Sequence, residues 1–145
     1  LVHNNNGVKK EESLNDHFAE HLGMTVLERQ AGYARVAVTL NKNLMNGVGL
    51  AHGGLIFTLA DYAFALACNT YERRAVSVSA SINYIYPGKA GILTAEGKVV
   101  SENKKMGHYT ITVSDESETT IAVMSGLAYY SKRLILEKGH DNIPG

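Results

Sequence analysis

The stretch Asn46-Gly47-Val48-Gly49-Leu50-Ala51-His52-Gly53-Gly54-Leu55-Ile56-Phe57-Thr58-Leu59-Ala60-Asp61-Tyr62-Ala63-Phe64-Ala65-Leu66-Ala67-Cys68-Asn69 decides how the rest of the chain is read. It opens as a loop rich in Asn and Gly and turns almost wholly apolar after Gly54. The run from Leu55 to Cys68 is too short for a membrane span and carries an acid. It reads as a buried helix from about Gly53 to Asn69, apolar all round because other elements surround it. Asp61 is the exception inside it. An ionised carboxylate in such surroundings costs several kcal/mol unless something compensates it. It is either a structural Asp bonded to a backbone amide or a buried cation, or a reactive group. The helix entrance close by favours the second.

Working outward, Met24–Gln30 and Tyr33–Leu40 read as strands, with Ala34, Val36, Val38 and Leu40 alternating against Tyr33, Arg35, Ala37 and Thr39. Beyond the buried helix and a charged turn at Glu72-Arg73-Arg74 come four more: Ala75–Tyr86, Gly91–Ser101, Gly107–Ser114 and Thr119–Tyr130. In the first of these, Val76, Val78, Ala80, Ile82 and Tyr84 alternate with Ser77, Ser79, Ser81 and Asn83. A short amphipathic helix over Lys9–Leu22, closed by Gly23, precedes the first strand. Its His17-Phe18-Ala19-Glu20-His21 matches the H-x-x-E-H pattern of inverted zinc peptidases, but no third ligand is apparent. Two solvated histidines on a terminal helix account for it better, and no metal is expected. Two strands, a buried helix and a four-strand meander predict an α+β domain, an antiparallel sheet wrapped around a long central helix. The domain is expected over 9–136, with residues 1–8 a frayed or expression-derived end and 137–145 a flexible tail.

At 145 residues the chain makes one domain with a core that needs no staples. Fourteen basic and fourteen acidic residues cancel, which argues against a nucleic-acid partner or a polybasic membrane binder. The single cysteine, Cys68, cannot form an intrachain disulfide, and no signal peptide is visible; a reducing, cytoplasmic setting is expected.

The first turn of a helix leaves backbone N–H groups unpaired at the positive end of its dipole. Gly53 and Gly54 carry no side chains to keep a ligand from those amides, so a carbonyl oxygen gaining negative charge would be stabilised there. Alternatively the glycines serve only tight packing. Distance adds a constraint. Gly53 and Asp61 lie eight residues apart, about 12 Å along a helix. One carbonyl group cannot touch the Gly53 amide and react with Asp61 of the same chain. If both take part, Asp61 comes from a neighbouring subunit and the protein is at least a dimer.

The run Asn46–Asp61 closely resembles the signature of hotdog-fold acyl-CoA thioesterases, most of all the PaaI-like branch associated with phenylacetate breakdown. The likeness extends to Phe18, to His21-Leu22-Gly23-Met24, to Val76-Ser77-Val78, to Asn83-Tyr84-Ile85-Tyr86-Pro87 and to the closing strand, about residues 14 to 130. The resemblance implies a hotdog fold, dimers that commonly pair into homotetramers, and hydrolysis of an acyl-CoA to a carboxylic acid and coenzyme A. It implies Asp61 as general base or nucleophile and the Gly53 amide polarising the thioester carbonyl. Asn46 would hold the water or orient the carbonyl, His52 would shape the oxyanion site, and Ser77 would stand near the reacting water. Many relatives have Arg where this chain has Tyr86, so one phosphate or subunit contact is not carried over. No cofactor is called for, since coenzyme A is part of the substrate. Its phosphates need cations, for which Lys104, Lys105, Arg73, Arg74 and Lys89 are candidates, with Gly54 beside them in substrate binding. No G-x-S-x-G elbow exists, and Cys68 has no obvious base. The acyl group stays open between aryl-acetyl, aryl and short or medium chains. Two other readings are an acyl-thioester dehydratase, which would draft His52 but whose motif the flanks do not match, and a non-catalytic acyl-CoA-binding protein.

Overall fold

The computed structural model describes residues 15–69 and 73–131. Strands β1 (Thr25–Gln30), β2 (Tyr33–Thr39), β3 (Arg74–Tyr84), β4 (Ile92–Glu102), β5 (Met106–Ser114) and β6 (Thr120–Ser131) make one sheet in the order β1-β2-β4-β5-β6-β3. Every neighbouring pair is antiparallel. Helix α1 (His17–His21) precedes the sheet, and helix α2 (Gly53–Cys68) crosses its concave face. The α+β architecture stands, with strand limits moved by one or two residues, but the four-strand meander does not: β3 pairs with β6 at the far edge and β4 pairs with β2, so only β4-β5-β6 run as a meander. The expected first helix is also shorter, since Asn15 and Asp16 lie outside it and the Asp16 side chain caps it by accepting from Ala19 N. The N-terminal part of the expected first helix (9–14), Glu72 of the charged turn, and both predicted ends (1–8 and 137–145) lie outside the described residues. His17, Glu20 and His21 are exposed on α1.

Helix α2 sits close to the sheet because small residues meet there. Ala60, Ala63 and Ala67 are buried, and a Cβ on Gly97 of β4 would stand 3.2 Å from the Ala63 carbonyl oxygen. Phe64 is buried against Tyr109, ring centroids 5.4 Å apart, and fills the space that Gly126 of β6 leaves. Gly126→Ala would drive a methyl well inside the Phe64 ring's envelope. Because Phe64 has nowhere to swing, the substitution is expected to cost about 1–3 kcal/mol in a urea titration. Unchanged stability would show that the helix can ride outward freely.

Both ends of α2 are fixed by polar groups. At its C-terminus the Arg29 guanidinium donates to the carbonyls of Leu66 (3.3 Å) and Asn69 (3.0 Å), where a cation also complements the dipole. The Asn69 side chain donates to Ala65 O and accepts from Ala75 N, tying the helix end to the start of β3.

Two further features depart from the sequence expectation. First, α2 is not enclosed all round. Gly54, Phe57, Thr58, Asp61, Tyr62 and Ala65 form a stripe that the sheet leaves wholly or partly open. Second, β3 is an edge strand with a bulge. Ser77 pairs with Ala128 and Ser79 with Leu127, consecutive residues of β6, so Val78 is left out of the ladder. The strict alternation expected from the sequence is therefore broken. Val76 lies on the outer face with Tyr129, while Ala80, Ile82 and Tyr84 lie on the helix side with Gly126, Met124 and Ala122. Ser77 joins that inner set through its pairing with buried Ala128.

Candidate active site

The loop before α2 is built to present its first turn. Asn46 N donates to Leu50 O, Ala51 N donates to Gly88 O, and His52 N donates to Leu44 O. The Asn46 side-chain oxygen accepts from the amides of Val48 and Leu50, both at 3.0 Å. Its carbonyl is thus committed to the turn, and what Asn46 can offer a ligand is its NH2 group, a donor only.

His52 is the N-cap of α2, its Nδ1 accepting from Gly54 N at 2.8 Å. The two glycines therefore do different work. The Gly54 amide is occupied by His52, and a Cβ at Gly54 would stand 3.0 Å from that Nδ1. Among the described residues no partner is found for the Gly53 amide. That N–H, at the positive end of a sixteen-residue helix, is the donor available for an oxyanion. The Tyr84 hydroxyl reaches the same turn, donating to Gly53 O at 3.1 Å.

Asp61 lies two turns further along α2 on the partly open stripe. No hydrogen bond or ion pair to it is found among the described residues. Burial pushes its carboxyl above the usual range, and the Asp16 carboxylate adds to the rise. A carboxylate without a backbone amide or cation fits a reactive group better than a structural one. Since α2 is unbroken from Gly53 to Cys68, the separation of about 12 Å from the Gly53 amide stands. Burial holds the Cys68 thiol up at about 12, so it offers no thiolate at neutral pH.

Asn46, His52, Gly53 and Gly54 are thus brought together at one end of α2. Ser77 faces the helix side from β3, and Asp61 stands apart. The candidate cations divide between the two ends of the helix. Lys89 is beside the entrance, lining a small cavity of about 240 Å³ with Tyr86, Pro87, Ala90, Asp115 and Thr119. Arg73, Arg74, Lys104 and Lys105 cluster at the far end, roughly 24 Å away along the helix axis. Arg73 is already engaged. Its Nη2 lies 3.4 Å from Glu102, and its guanidinium stacks 3.3 Å over the Tyr130 ring, whose hydroxyl bonds both Glu102 and Tyr109. Asp16 and Tyr84 were not singled out from sequence. Both meet the site through space, and the sequence reading, which placed Asp16 inside the first helix, carried no signal for either.

A curled antiparallel sheet around one helix, with an open amide turn and a desolvated carboxylate, defines the class of hotdog thioester-handling proteins. The chain belongs to the thioesterase superfamily, whose family model matches residues 48–122. It is 36% identical over 116 residues to the acyl-coenzyme A thioesterase PaaI of Escherichia coli K12, covering 79% of this chain and 83% of that protein. The solved E. coli PaaI protein, from the phenylacetic acid degradation operon, superposes with a TM-score of 0.81 at 33% identity. That match covers 86% of this chain and 92% of the other. A Streptococcus mutans protein solved with acetyl CoA bound matches at 27% identity and a TM-score of 0.70, over 74% and 88% of the two chains.

Proposed function

We propose that this protein is an acyl-CoA thioesterase whose catalytic site is shared between two copies of the chain. It is a thioester hydrolase: water adds to the thioester carbonyl, the C–S bond breaks, and the products are a carboxylic acid and free coenzyme A. The observation that carries the site assignment is that the Gly53 amide and the desolvated Asp61 both lack partners among the described residues. The amide and the helix dipole stabilise the oxyanion, and Asp61 either deprotonates water or attacks the carbonyl to form an anhydride. A thioester carbonyl is electrophilic enough for a carboxylate and oriented amides to suffice. Asn46 donates from its NH2 toward water or carbonyl, and Ser77 orients the water. Among the described residues, Lys89, Arg74 and the Lys104–Lys105 hairpin are the candidate cations without an ion-pair partner, and they would meet the coenzyme A phosphates. The His52 geometry disfavours a dehydratase, since with Nδ1 taken by an amide the other nitrogen carries the ring proton and cannot act as base. The relatives support aryl-acetyl-CoA as the first substrate to try, with phenylacetate breakdown as the setting. A reducing, cytoplasmic compartment suits the lone buried Cys68. A thiol-release assay across aryl-acetyl, benzoyl, short and medium acyl-CoAs tests the reading; binding without release of thiol from any of them would defeat it.

Assembly follows from two uncovered surfaces. Strand β3 is an eleven-residue edge with Val76, Val78, Tyr84 and the following Ile85 and Tyr86 more than half exposed. Long apolar edges are not left open in stable monomers. A second copy across this edge would cover it and the open stripe of α2, and could bring its own Asp61 to the first copy's Gly53. Two such dimers would form a homotetramer. Val78→Lys is expected to shift the protein toward monomer by light scattering and to lower turnover by about tenfold or more, since the site would be incomplete. A fully active monomer would sink the shared-site reading.

A further inference from the structure

Three hydrogen-bonding groups at the entrance of α2 are joined through a single peptide unit. Gly53 C=O and Gly54 N–H belong to the same peptide bond. The Tyr84 hydroxyl donates to its oxygen at 3.1 Å, and its N–H donates to His52 Nδ1 at 2.8 Å. We propose that Tyr84 is a positioning residue for the thioester hydrolysis, acting through the Gly53–Gly54 peptide to fix the tautomer and orientation of His52.

The direction of the chain is set by donors and acceptors. A backbone N–H only donates, so Nδ1 must be the bare nitrogen, and in the neutral ring the proton resides on Nε2. A hydroxyl donating to a peptide oxygen draws electron density from the amide nitrogen, making its N–H a stronger donor; bonds in series reinforce one another in this way. Tyr84 therefore strengthens the hold on Nδ1 and leaves Nε2–H as the ring's donor, on the residue next to the Gly53 amide, which has no partner among the described residues. Two donors so arranged suit one developing oxyanion. The ring of Tyr84 also limits movement of this turn, lying 3.7 Å from where a Gly53 Cβ would be. Gly54 gains a specific purpose, because the imidazole folds back over the space that a side chain there would take. Tyr84 reaches this turn from the helix-facing side of β3, in register with Ala122. The strand that carries Ser77 thus also steadies the oxyanion donors.

The inference rests on the thioesterase reading for its kinetic arm only, and Tyr84→Phe tests it because Phe keeps the ring and removes only the hydroxyl. In ¹⁵N-labelled protein, with His52 assigned by comparison with His52→Gln, wild-type His52 is expected to show the Nε2–H tautomer. Tyr84→Phe keeps the Gly54 N–H but weakens it as a donor, so the His52 ring-nitrogen signals should shift toward those of a tautomer mixture, with kcat for the best acyl-CoA reduced about tenfold and KM nearly unchanged. A purely structural tyrosine would lower the melting temperature without altering the His52 signals. The proposal is overturned if wild-type His52 is protonated at Nδ1, or if Tyr84→Phe leaves His52 signals and kcat as in wild type. Should wild type release no thiol while Tyr84→Phe still alters the tautomer, the relay stands and the thioesterase reading falls.

Discussion

Asp61→Asn is expected to lose at least about two orders of magnitude in kcat while keeping fold and assembly, because it preserves volume and removes the one group able to take a proton or attack. Its effect on stability has a definite sign. Burial first, and Asp16 second, raise the Asp61 carboxyl above its ordinary value in the folded protein. A group with a raised folded-state value contributes its full stability below its unfolded value, about 3.9 for Asp, and loses that contribution as pH rises through the folded value. At neutral pH the ionised side chain therefore opposes folding. Asp61→Asn should melt no lower than wild type at pH 7, and the difference should vanish on acidification. The acid limb of wild-type activity should likewise fall above the ordinary Asp range. A wild-type rate in the variant would remove Asp61 from the chemistry; a lower melting temperature at pH 7 would mean that its carboxylate has a stabilising partner.

Gly53→Pro should lose about a hundredfold or more in kcat, the effect of removing one oxyanion donor. Proline suits this position in every respect except the missing N–H. Gly53 is the first residue of α2, where proline is favoured, and His52 before it is extended at φ −64° and ψ 136°. Circular dichroism should show an unchanged helix. Gly53→Ala keeps the N–H and places its methyl in ordinary contact with Tyr84, so it should lose far less. Mixing Gly53→Pro chains with Asp61→Asn chains tests the shared site. Random pairing makes half the dimers mixed, and each mixed dimer contains one intact site, giving about a quarter of wild-type activity. No recovery in mixed dimers shown to have formed would place both groups in the same chain's site.

The central helix was legible because its signals are local: two glycines and an apolar run ended by Asn69. Asp61 was legible as a violation of that run. Strand limits were nearly right because the turn residues Gly23, Pro87, Asn103 and Asp115 are local signals too. The face that each β3 residue presents was not legible, since the bulge exists only relative to β6. Nor could Gly126 be tied to Phe64, or Tyr84 to Gly53, across the sequence that separates them. The open stripe on α2 escaped for another reason. Its residues, Phe57, Thr58, Tyr62 and Ala65 among them, are hardly less apolar than the buried ones, so periodicity could not separate the side facing the sheet from the side left for another copy.

The bulge at Val78 also governs how this strand tolerates changes of length. Because Val78 is not counted in the ladder, a chain lacking it would pair β3 with β6 without interruption. Ser77 and Ser79 would keep their present partners, Ala128 and Leu127. A one-residue deletion anywhere else between Ala80 and Tyr84 would instead turn every residue on one side of it to the opposite face. Relatives with a β3 shorter by one residue should therefore align with their gap at this position and still present the same inner surface.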